Sequence, residues 1–551
     1  MRPFQKTPAN HLNSANLYVT SVPRTFLIAL GLTSVYCLFL VKQVLEPTQY
    51  YFYHWSGSAA SMFVPVIANF IAFWLLLTVV LLIARKQGRV RVAILTALVL
   101  LVSCVYTHLN IFYHRLPFLN LGSVAFVAAL LTTCIVTAIW RPDLDARYER
   151  VLSKVTTILT FLGFFGLFIL FSMLRYGWQA YSFSKHATLH QSLTPPAPPR
   201  HRIIWIIFDE LSQDQVYTHR FPGLQLPAFD SLAATSTQFT NVIPADINTE
   251  NVIPGMIMGR SFGDIKTSSA GIPRFYDLKT RKWELFNQYD SVFQDALHSG
   301  YSTAVVGWFN PYCRILSHVL DHCSWPDSYR SGADVLSGKD SALSNTLTLT
   351  RTLLYSPVLL LPFNVQLHIA PLFHLPPDIS VYELHIHDYL DINSASDGSL
   401  RDPSESFLFL HFPIPHPQGI YNRKTGAFAS GHLSSYVDNL ALADKSLAHI
   451  RATLEQTGQW DSSTIVIMGD HGWRTKQMWR KTSWVPEDEL ASRGGQYDPH
   501  PAYLVKLPGQ STSAHFDLLF PSVNTRALFD QLMTNQITTP AELSSWAETA
   551  H

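Results

Sequence analysis

Apolar residues are concentrated in five long runs within the first 175 residues of the chain. The runs lie near residues 25–44, 60–84, 92–112, 117–139 and 154–174. A helix of roughly 20 apolar residues is long enough to cross the ~30 Å hydrocarbon layer of a bilayer, so each run predicts one membrane-spanning helix. The first run is too long for a signal peptide and four more follow it. The pattern therefore predicts a helical transmembrane bundle of five spans over residues 1–175.

Basic residues are distributed unevenly between these runs. They precede the first run and lie between the second and third and between the fourth and fifth, whereas the connections 45–59 and 113–116 contain only Arg115. Basic residues collect on the cytoplasmic side of a membrane. We therefore expect a multi-pass protein of the cytoplasmic (inner) membrane with a cytoplasmic N-terminus. Everything beyond residue 175 is then periplasmic or otherwise extracytoplasmic.

The pattern changes after a linker. Residues 176–200 end in a proline-rich stretch, 194–199, that predicts an extended spacer. Beyond it, short continuous apolar runs at 203–208, 303–307, 407–412 and 464–468 are typical of central strands buried on both faces. Apolar positions three and four apart over 434–456 predict an amphipathic helix. Strands that alternate with helices indicate an α/β domain with a doubly wound sheet over residues 201–551.

Residues 331–400 fit this α/β pattern less well and predict an insertion. Within them the stretch 356–373 is apolar but is interrupted by Pro357, Pro362 and Pro371, which argues against a sixth span. Three alternatives remain open: the insertion is buried core, rests on the membrane, or covers the α/β domain.

Composition narrows the function and the compartment. The formal net charge is +1 and only 14% of residues are charged, which excludes nucleic acid as the main partner because phosphate binding needs a basic patch. Cys313 and Cys323 lie ten residues apart in the outer part. In an oxidising compartment such a pair predicts a disulfide, and the alternative is two free buried thiols.

Polar residues follow two of the predicted strands directly. Asp209 and Glu210 end the first strand, and Asp470 and His471 end the strand at 464–468, between two glycines. The carboxyl ends of parallel strands meet at one edge of a sheet, where ligands bind. Buried like charges are costly unless a cation compensates them, so these residues predict a divalent-metal site. The alternative is two ordinary strand-end turns that never meet.

A third element gives the pattern a family resemblance. Thr249 precedes the stretch Val252-Ile253-Pro254-Gly255-Met256-Ile257-Met258-Gly259. With an Asp at the end of the first strand and a late Gly-Asp-His-Gly, the segment 201–510 resembles the alkaline phosphatase superfamily. It is most similar to the sulfatase-like branch, with its membrane-anchored phosphoethanolamine transferases and lipoteichoic acid synthases. The resemblance implies an alkaline-phosphatase-like α/β fold outside the cytoplasm.

The resemblance also implies roles for individual residues. Thr249 would be the nucleophile and a metal ligand, and Asp209, Asp470 and His471 would be metal ligands, with Glu210 a weaker candidate. Mixed oxygen and imidazole ligation favours zinc or manganese, with magnesium or calcium as alternatives. A hydroxyl becomes a competent nucleophile when a cation stabilises its alkoxide.

Departures from the family refine this reading. A Cys/Ser-x-Pro-x-Arg motif is missing at Thr249, which argues against sulfate ester hydrolysis. Relatives with two metals carry an Asp in the segment that corresponds to residues 411–417, and this chain has none there. This indicates a single metal. His416, and with it His411, could then bind phosphate or protonate a leaving group. His411 is equally well read as a core strand residue. His500 and Trp308 are further substrate-binding candidates.

These observations predict a membrane-anchored, metal-dependent phosphotransferase. It would move the headgroup phosphate of a membrane lipid donor through a covalent Thr249 intermediate to a hydroxyl of an envelope lipid or glycan acceptor. The alternatives are a sulfatase-like hydrolase or phosphodiesterase of phosphate or sulfate esters, a non-catalytic membrane binding protein, and a transporter. The near absence of acids and bases from the apolar runs argues against transport.

Overall fold

The computed structural model describes most of the chain from residue 201 onward and part of the apolar N-terminal region. The described residues are 21–37, 55–84, 94–95, 97–98, 145–186, 189–190, 201–267, 271, 273–326, 336–355, 363–374, 381–429, 434–475 and 484–550. They fall into two compact units. Unit 1 comprises Met1–Glu46, Ala59–Gln179 and Arg330–Pro377, and unit 2 comprises Pro47–Ser58, Ala180–Tyr329 and Asp378–His551.

Unit 1 is helical where it is described. Its helices are α1 (Val22–Tyr36), α2 (Ala59–Ile83), α3 (Asp145–His186, of which the residues from Ala180 onward belong to unit 2), α8 (Ala342–Tyr355) and α9 (Phe363–Phe373). Two stretches within them are long and apolar enough to cross a membrane, Ala59–Ile83 and Ser153–Ser182, whereas Val22–Tyr36 is a shorter apolar helix. The predicted runs 92–112 and 117–139 lie almost entirely outside the described residues. The count of five spans and the orientation therefore stay predictions.

Glycines allow α1 and α3 to approach closely. A β-carbon on Gly31 would collide with the carbonyl group of Leu159, and one on Gly163 with that of Leu27. Small residues at a helix–helix contact are typical of membrane helices, where van der Waals packing replaces the hydrophobic effect. Helix α3 also continues through residue 186, so the first part of the predicted linker 176–200 is helical. The proline-rich stretch lies outside the described residues.

Unit 2 is built on an eight-stranded sheet with the order β14-β2-β13-β12-β1-β9-β7-β8. Its four predicted strands are confirmed as β1 (Ile203–Phe208), β7 (Thr303–Gly307), β9 (Phe407–Phe412) and β12 (Thr464–Gly469). They are mutually parallel. The sheet as a whole is mixed, because β13 (Tyr503–Lys506) runs antiparallel to β12 and to β2 (Thr237–Phe239). The outer strands are β14 (Ala514–Phe516) and β8 (His322–Ser324).

Alternate residues of β1 serve two separate cores. Ile203, Trp205 and Ile207 pack into one apolar cluster, and Ile204, Ile206 and Phe208 into a second. A strand in the middle of a doubly covered sheet buries both faces, which explains its unbroken apolar run. The helices of unit 2 are α4 (Pro227–Ala233), α5 (Thr249–Met258), α6 (Val292–His298), α7 (Tyr312–Ile315), α10 (Val381–Arg401), α11 (Tyr436–Gln456), α12 (Pro486–Ala491), α13 (Thr525–Met533) and α14 (Pro540–Thr549).

Smaller strands complete unit 2. A three-stranded antiparallel sheet is formed by β4 (Phe262–Thr267), β5 (Pro273–Asp277) and β6 (Lys282–Leu285), and short pairs are formed by β10 (Tyr421–Asn422) with β11 (Ala427–Phe428) and by β15 (Phe520–Pro521) with β3 (Val242–Ile243). The predicted helix 434–456 is present as α11, which begins at a Ser435 N-cap with a reciprocal Asp438 bond. This capping box satisfies two backbone donors at the helix start.

The predicted insertion 331–400 is divided between the two units. Helices α8 and α9 belong to unit 1, whereas α10 belongs to unit 2 and packs against β7 and β9. One half of the insertion is therefore part of the helical unit, and the other half forms a wall of the sheet domain.

Candidate active site and metal centre

Two neighbouring strands deliver acidic residues to one edge of the sheet. Strands β1 and β12 are parallel and pair Phe208 with Gly469, so Asp209 and Asp470 follow at the same level. Both carboxylates and the adjacent His471 are fully buried. The predicted convergence at the carboxyl edge of the sheet therefore occurs.

Glycines on both sides of Asp470-His471 are required by close backbone packing. A β-carbon on Gly469 would collide with the carbonyl oxygen of Leu211, and one on Gly472 with the carbonyl oxygen of Asp498. The loop after β12 is thus pressed between two other backbone segments. This packing fixes the direction in which His471 leaves the strand.

Thr249 approaches the acidic pair from helix α5. It is the first residue of the helix, after the N-cap Asn248, and its side chain is buried. Its hydroxyl group lies 3.4 Å from Oδ2 of Asp209 and 3.3 Å from Nε2 of His471. Backbone N–H groups at the start of a helix favour bound anions, so the hydroxyl lies where a phosphoryl group would be stabilised.

The ligand atoms in this cluster fit a divalent cation. One atom from each of Asp209, Asp470 and His471 lies within 4.8 Å of the others. Oδ1 of Asp209 and Oδ2 of Asp470 are buried and accept no hydrogen bond from the described residues, whereas Oδ1 of Asp470 accepts the amides of Glu210 and His471, both at 2.9 Å. Two buried, unsatisfied carboxylate oxygens in one cluster are costly unless a cation binds them.

His471 has the tautomer-fixing contact that metal-binding histidines use. Its Nδ1 lies 3.0 Å from the carbonyl oxygen of Gly472. A proton on Nδ1 donates to that carbonyl and leaves the lone pair of Nε2 directed at the cluster. Two carboxylate oxygens and an imidazole nitrogen suit zinc or manganese.

The buried acids have opposite pKa shifts. Burial, reinforced by the charge of Asp470, raises the pKa of Asp209 well above its usual range. Burial also acts to raise the pKa of Asp470, but the neighbouring imidazoles of His471 and His411 and the amide of Glu210 outweigh it and lower that pKa. Without a cation one of the two carboxyl groups keeps a proton, and a divalent cation would allow both to ionise.

Glu210 is held by a cation that the sequence analysis missed. The side chain of Arg474 donates to Oε1 of Glu210 from Nε at 2.7 Å, and its backbone amide donates to Oε2 at 3.1 Å. Glu210 is fully buried and has a positive φ of 62°, a strained conformation typical of functional sites. Burial raises its pKa, and Arg474 partly offsets this. Glu210 also forms a second cluster with Asp209 and His416 that could hold a metal.

His411 is a buried residue of the central sheet. It is fully buried on β9, its Nδ1 lies 2.8 Å from the hydroxyl of Tyr312, and its Nε2 lies 3.8 Å from Oδ2 of Asp209. Burial lowers the pKa of His411 to about 4, so the imidazole is neutral at pH 7. Both predicted roles, core residue and site residue, are compatible with this position.

Helix α10 contributes two residues that were not predicted. Nε1 of Trp308 donates to Oδ2 of Asp388 at 2.9 Å, and the ring of His385 contacts both Trp308 and His416 at centroid distances of 5.5 and 5.9 Å. The rings of Trp308 and His416 are 5.3 Å apart. Burial and the positive charge of Arg474 lower the pKa of His416 well below its usual range.

The remaining predicted residues lie farther from this cluster. The imidazole of His500 bonds Asp498 at 2.6 Å, and among the described residues the structure gives it no contact with Asp209, Thr249 or His471. Cys313 and Cys323 are joined by a disulfide, which links α7 to β8. The structure gives neither His500 nor the Cys313–Cys323 disulfide a contact with Thr249.

One protein family model matches part of this chain. The sulfatase family model matches residues 386–512, a segment that contains His411, His416, Asp470 and His471 but not Asp209 or Thr249. No curated protein matches the chain.

Solved structures are similar at low sequence identity. A phosphonate monoester hydrolase of Agrobacterium radiobacter is 13% identical, with 61% of this chain and 74% of that chain covered and a TM-score of 0.34. The lipoteichoic acid synthase LtaP from Listeria monocytogenes is 12% identical over 63% and 76%, with a TM-score of 0.35. The PsFucS1 sulfatase from Pseudoalteromonas sp. is 14% identical over 66% and 72%, with a TM-score of 0.39. Through the family match, residues 386–512 of this chain are similar to sulfatase-like enzymes.

Proposed function

We propose that this enzyme is a membrane-anchored, metal-dependent phosphotransferase with Thr249 as its nucleophile. The observation that supports this most directly is the position of the Thr249 hydroxyl, within 3.4 Å of both a carboxylate and an imidazole of the candidate metal cluster. A zinc or manganese ion held by Asp209, Asp470 and His471 would stabilise the threonine alkoxide and neutralise the phosphoryl oxygens.

In the first half-reaction Thr249 Oγ1 attacks the phosphorus of a lipid headgroup. A bond forms between Oγ1 and phosphorus, and the bond from phosphorus to the lipid alcohol breaks. His416, neutral when free, takes up the Thr249 proton and returns it to the leaving alcohol. The product is a phosphodiester on Thr249 and a released diacylglycerol-type alcohol.

In the second half-reaction an acceptor hydroxyl attacks the same phosphorus. The bond to Thr249 breaks, and the proton of the acceptor returns to the threonine oxygen through His416. The acceptor would be an envelope lipid or glycan that carries a hydroxyl group. Trp308, fixed by Asp388, would pack against it together with His385.

The proposed membrane topology explains why the enzyme is anchored. Five spans with a cytoplasmic N-terminus would leave unit 2 outside the cytoplasm, where the proposed envelope donor and acceptor would be. Tethering a catalytic domain to the surface that holds its substrate raises the effective concentration of that substrate.

Hydrolysis is the second candidate, and the sulfatase family match favours it. Water would then replace the acceptor hydroxyl in the second half-reaction, and phosphate or sulfate esters would be the substrates. Thr249 in place of a Cys or Ser argues for phosphate rather than sulfate esters.

Peptide mass spectrometry on the protein from native membranes tests the proposal. We expect a phosphodiester adduct on Thr249, whose mass identifies the transferred group, and no adduct in Thr249→Ala. Turnover should be lost in Thr249→Ala while its metal content stays close to that of the wild type. Full turnover in this variant would contradict the mechanism, and a bare Thr249 with bound metal during turnover would favour hydrolysis.

A further inference from the structure

A cleft on unit 2 lies outside the metal cluster. It is formed by α10, α11 and the β10–β11 hairpin, and its volume is about 410 Å³. Pockets for small ligands measure roughly 300–1,000 Å³, so this α10–α11 cleft has room for a small ligand. Its lining includes Tyr389, Asn393, Tyr421, Phe428, Lys445 and His449.

Aromatic rings form part of the wall of the α10–α11 cleft. Tyr389 and Tyr421 are buried, whereas Phe428 of β11 is 42% exposed. The rings of Tyr389 and Phe428 are 5.8 Å apart at an angle of 65°. A partly exposed ring at the edge of a cavity offers an apolar surface to a ligand, and the tyrosines add hydroxyl groups.

Hydrogen bonds within the protein hold the polar groups of the cleft in place. The hydroxyl groups of Tyr389 and Ser446 lie 2.9 Å apart, and Ser446 donates to the carbonyl oxygen of Leu442 at 3.1 Å. Nε2 of His449 lies 3.2 Å from Oδ1 of Asp397. Side chains fixed in this way lose little conformational freedom when a ligand binds, which favours affinity.

Lys445 gives the cleft a positive charge. Its ammonium group bonds the hydroxyl of Tyr421 and lies 4.9 Å from the centroid of that ring. An ammonium and a phenol hydroxyl side by side are two donors for one anionic oxygen, and hydrogen bonds to a charged group are the strong ones.

The neighbouring ionic groups are engaged with other partners. Arg423 of the hairpin pairs with Asp438 and Glu487. Asp397 pairs with Arg401, and Asp444, next to Lys445 in sequence, accepts the backbone N–H of Phe229. None of these ion pairs of the described residues involves Lys445, so its charge is available to a ligand.

Two elements of the cleft also reach the catalytic side of the sheet. The N–H of Ile420, at the start of the hairpin, donates to Oδ1 of Asn439 at 2.9 Å, and Nδ2 of Asn439 donates to the carbonyl oxygen of His416 at 3.1 Å. Helix α10 contributes Asp388, which accepts from Trp308. The cleft is therefore joined to the two residues beside which the acceptor is proposed to bind.

We propose that the α10–α11 cleft binds an acidic sugar ring of the acceptor, which makes the acceptor an anionic glycan. The acidic group would bind Lys445 and Tyr421, the C–H face of the ring would pack on Phe428, and ring hydroxyls would bond Asn393 and His449. An acyl chain fits less well, because polar groups interrupt the aromatic surface. The proposal rests on the proposed function, which requires an acceptor.

Saturation-transfer NMR on the full chain in lipid nanodiscs tests binding. The probes are methyl β-D-glucuronide and its uncharged counterpart, methyl β-D-glucoside. The cleft variants are Lys445→Gln, which removes the charge, and Phe428→Ala, which removes the exposed ring. Lys424→Gln is the matched control, because Lys424 is an exposed lysine of the same hairpin that does not line the cleft.

We expect the wild-type chain to bind the glucuronide with a Kd in roughly the millimolar range, about tenfold more tightly than the glucoside. Lys445→Gln should lose this preference, and Phe428→Ala should weaken binding of both probes about tenfold. Lys424→Gln should bind as the wild type does.

Three results would overturn the proposal. The first is the absence of saturable glucuronide binding to the wild-type chain. The second is equal weakening in Lys424→Gln and Lys445→Gln, which would mean that positive charge of the hairpin region attracts the probe without a site. The third is unchanged binding in both cleft variants, which would place the sugar elsewhere on the chain.

Mass spectrometry on native membranes separates this proposal from the proposed function. In Lys445→Gln and Phe428→Ala the Thr249 adduct should still form, which also shows that the variants are folded. Its transfer to the acceptor should be about tenfold slower, so the adduct accumulates relative to Lys424→Gln. No adduct even in the wild type would contradict the proposed function, whatever the NMR result. Wild-type adduct levels in both cleft variants would overturn the role of the cleft in acceptor binding.

Discussion

Arg474 lies three residues beyond His471 and provides the positive charge that the buried Glu210 requires. The sequence contains a signal for it, because a buried acid needs a cation and this arginine follows in the same loop. Other site residues leave no such signal. Trp308 and Asp388 are bonded to each other across 80 residues of sequence, and only the folded sheet brings β7 and α10 together.

Arg474→Gln should destabilise the fold strongly. Removing one partner of a buried ion pair costs about 3–5 kcal/mol because the other charge stays buried without compensation. Denaturant unfolding of the detergent-solubilised chain measures this. Arg401→Gln, which removes an exposed pair with Asp397, is the control and should cost no more than about 1 kcal/mol. Equal losses in the two variants would show that Arg474 is not needed to compensate Glu210.

Asp470→Asn should lose the metal. An amide oxygen is a poorer ligand than a carboxylate, and Oδ2 of Asp470 is one of the two unsatisfied oxygens of the cluster. Elemental analysis of the purified chain would show a loss of bound zinc or manganese. Asp397→Asn, at a partly exposed position away from the cluster, should keep the wild-type content. Wild-type metal content in Asp470→Asn would place the ion elsewhere.

At the scale of elements, unbroken apolar runs were sufficient to predict β1, β7, β9 and β12, because central parallel strands bury both faces. The sheet β4–β6 was not predicted, since β4 and β6 expose many residues without regular alternation and β5, which does alternate, is only five residues long. The sequence also gave no indication that β13 runs antiparallel to its neighbours. Sequence patterns report burial well, whereas strand direction depends on contacts distant in sequence.

Gly472→Ala should impair the site without removing any functional group. The added methyl group meets the backbone of Asp498 and Pro499, so the loop that carries His471 has to move. We expect metal content and turnover to fall together by roughly tenfold or more, since metal sites tolerate only small displacements of their ligands. Gly458→Ala is unsuitable as a control because its φ is +68°, whereas Gly398, which has open space around it, is suitable. Unchanged activity in Gly472→Ala would show that the loop can shift without harm.

At the scale of the whole molecule, a carboxyl group buried away from the site makes the stability of the folded chain depend on pH. Asp444 of α11 accepts the backbone N–H of Phe229 at the start of α4 at 3.0 Å. Burial raises the pKa of Asp444 to about 6. Between about pH 4 and pH 6 the folded chain keeps a proton that the unfolded chain has lost, so stability decreases as pH rises through this window.

Asp444→Asn should remove this dependence, because the amide oxygen still accepts the Phe229 N–H without carrying charge. The difference in thermal unfolding midpoint, Asp444→Asn minus wild type, should increase as the pH is raised from about 4 to about 6 and should then level off. Thermal unfolding of both proteins across this range measures it. Parallel curves would show that Asp444 titrates normally in the fold.

Chelation should lower the melting temperature of the wild-type chain by several degrees, because a ligand that binds only the folded state stabilises it. Zinc or manganese should restore the original value. Asp470→Asn should not respond to chelator, and a response in that variant would indicate a metal at another site.

The return of the chain to unit 1 between β8 and β9 limits how the catalytic unit can be isolated. A fragment that begins at residue 201 retains α8 and α9 but lacks α2, so Asn345, Thr346 and Thr350 lose their hydrogen bonds to α2 and the exposed leucines of α8 stay uncovered. Such a fragment, although it contains the whole sheet, should aggregate unless detergent covers α8 and α9. Truncation at the N-terminus alone therefore cannot produce a recombinant catalytic domain that lacks α8 and α9.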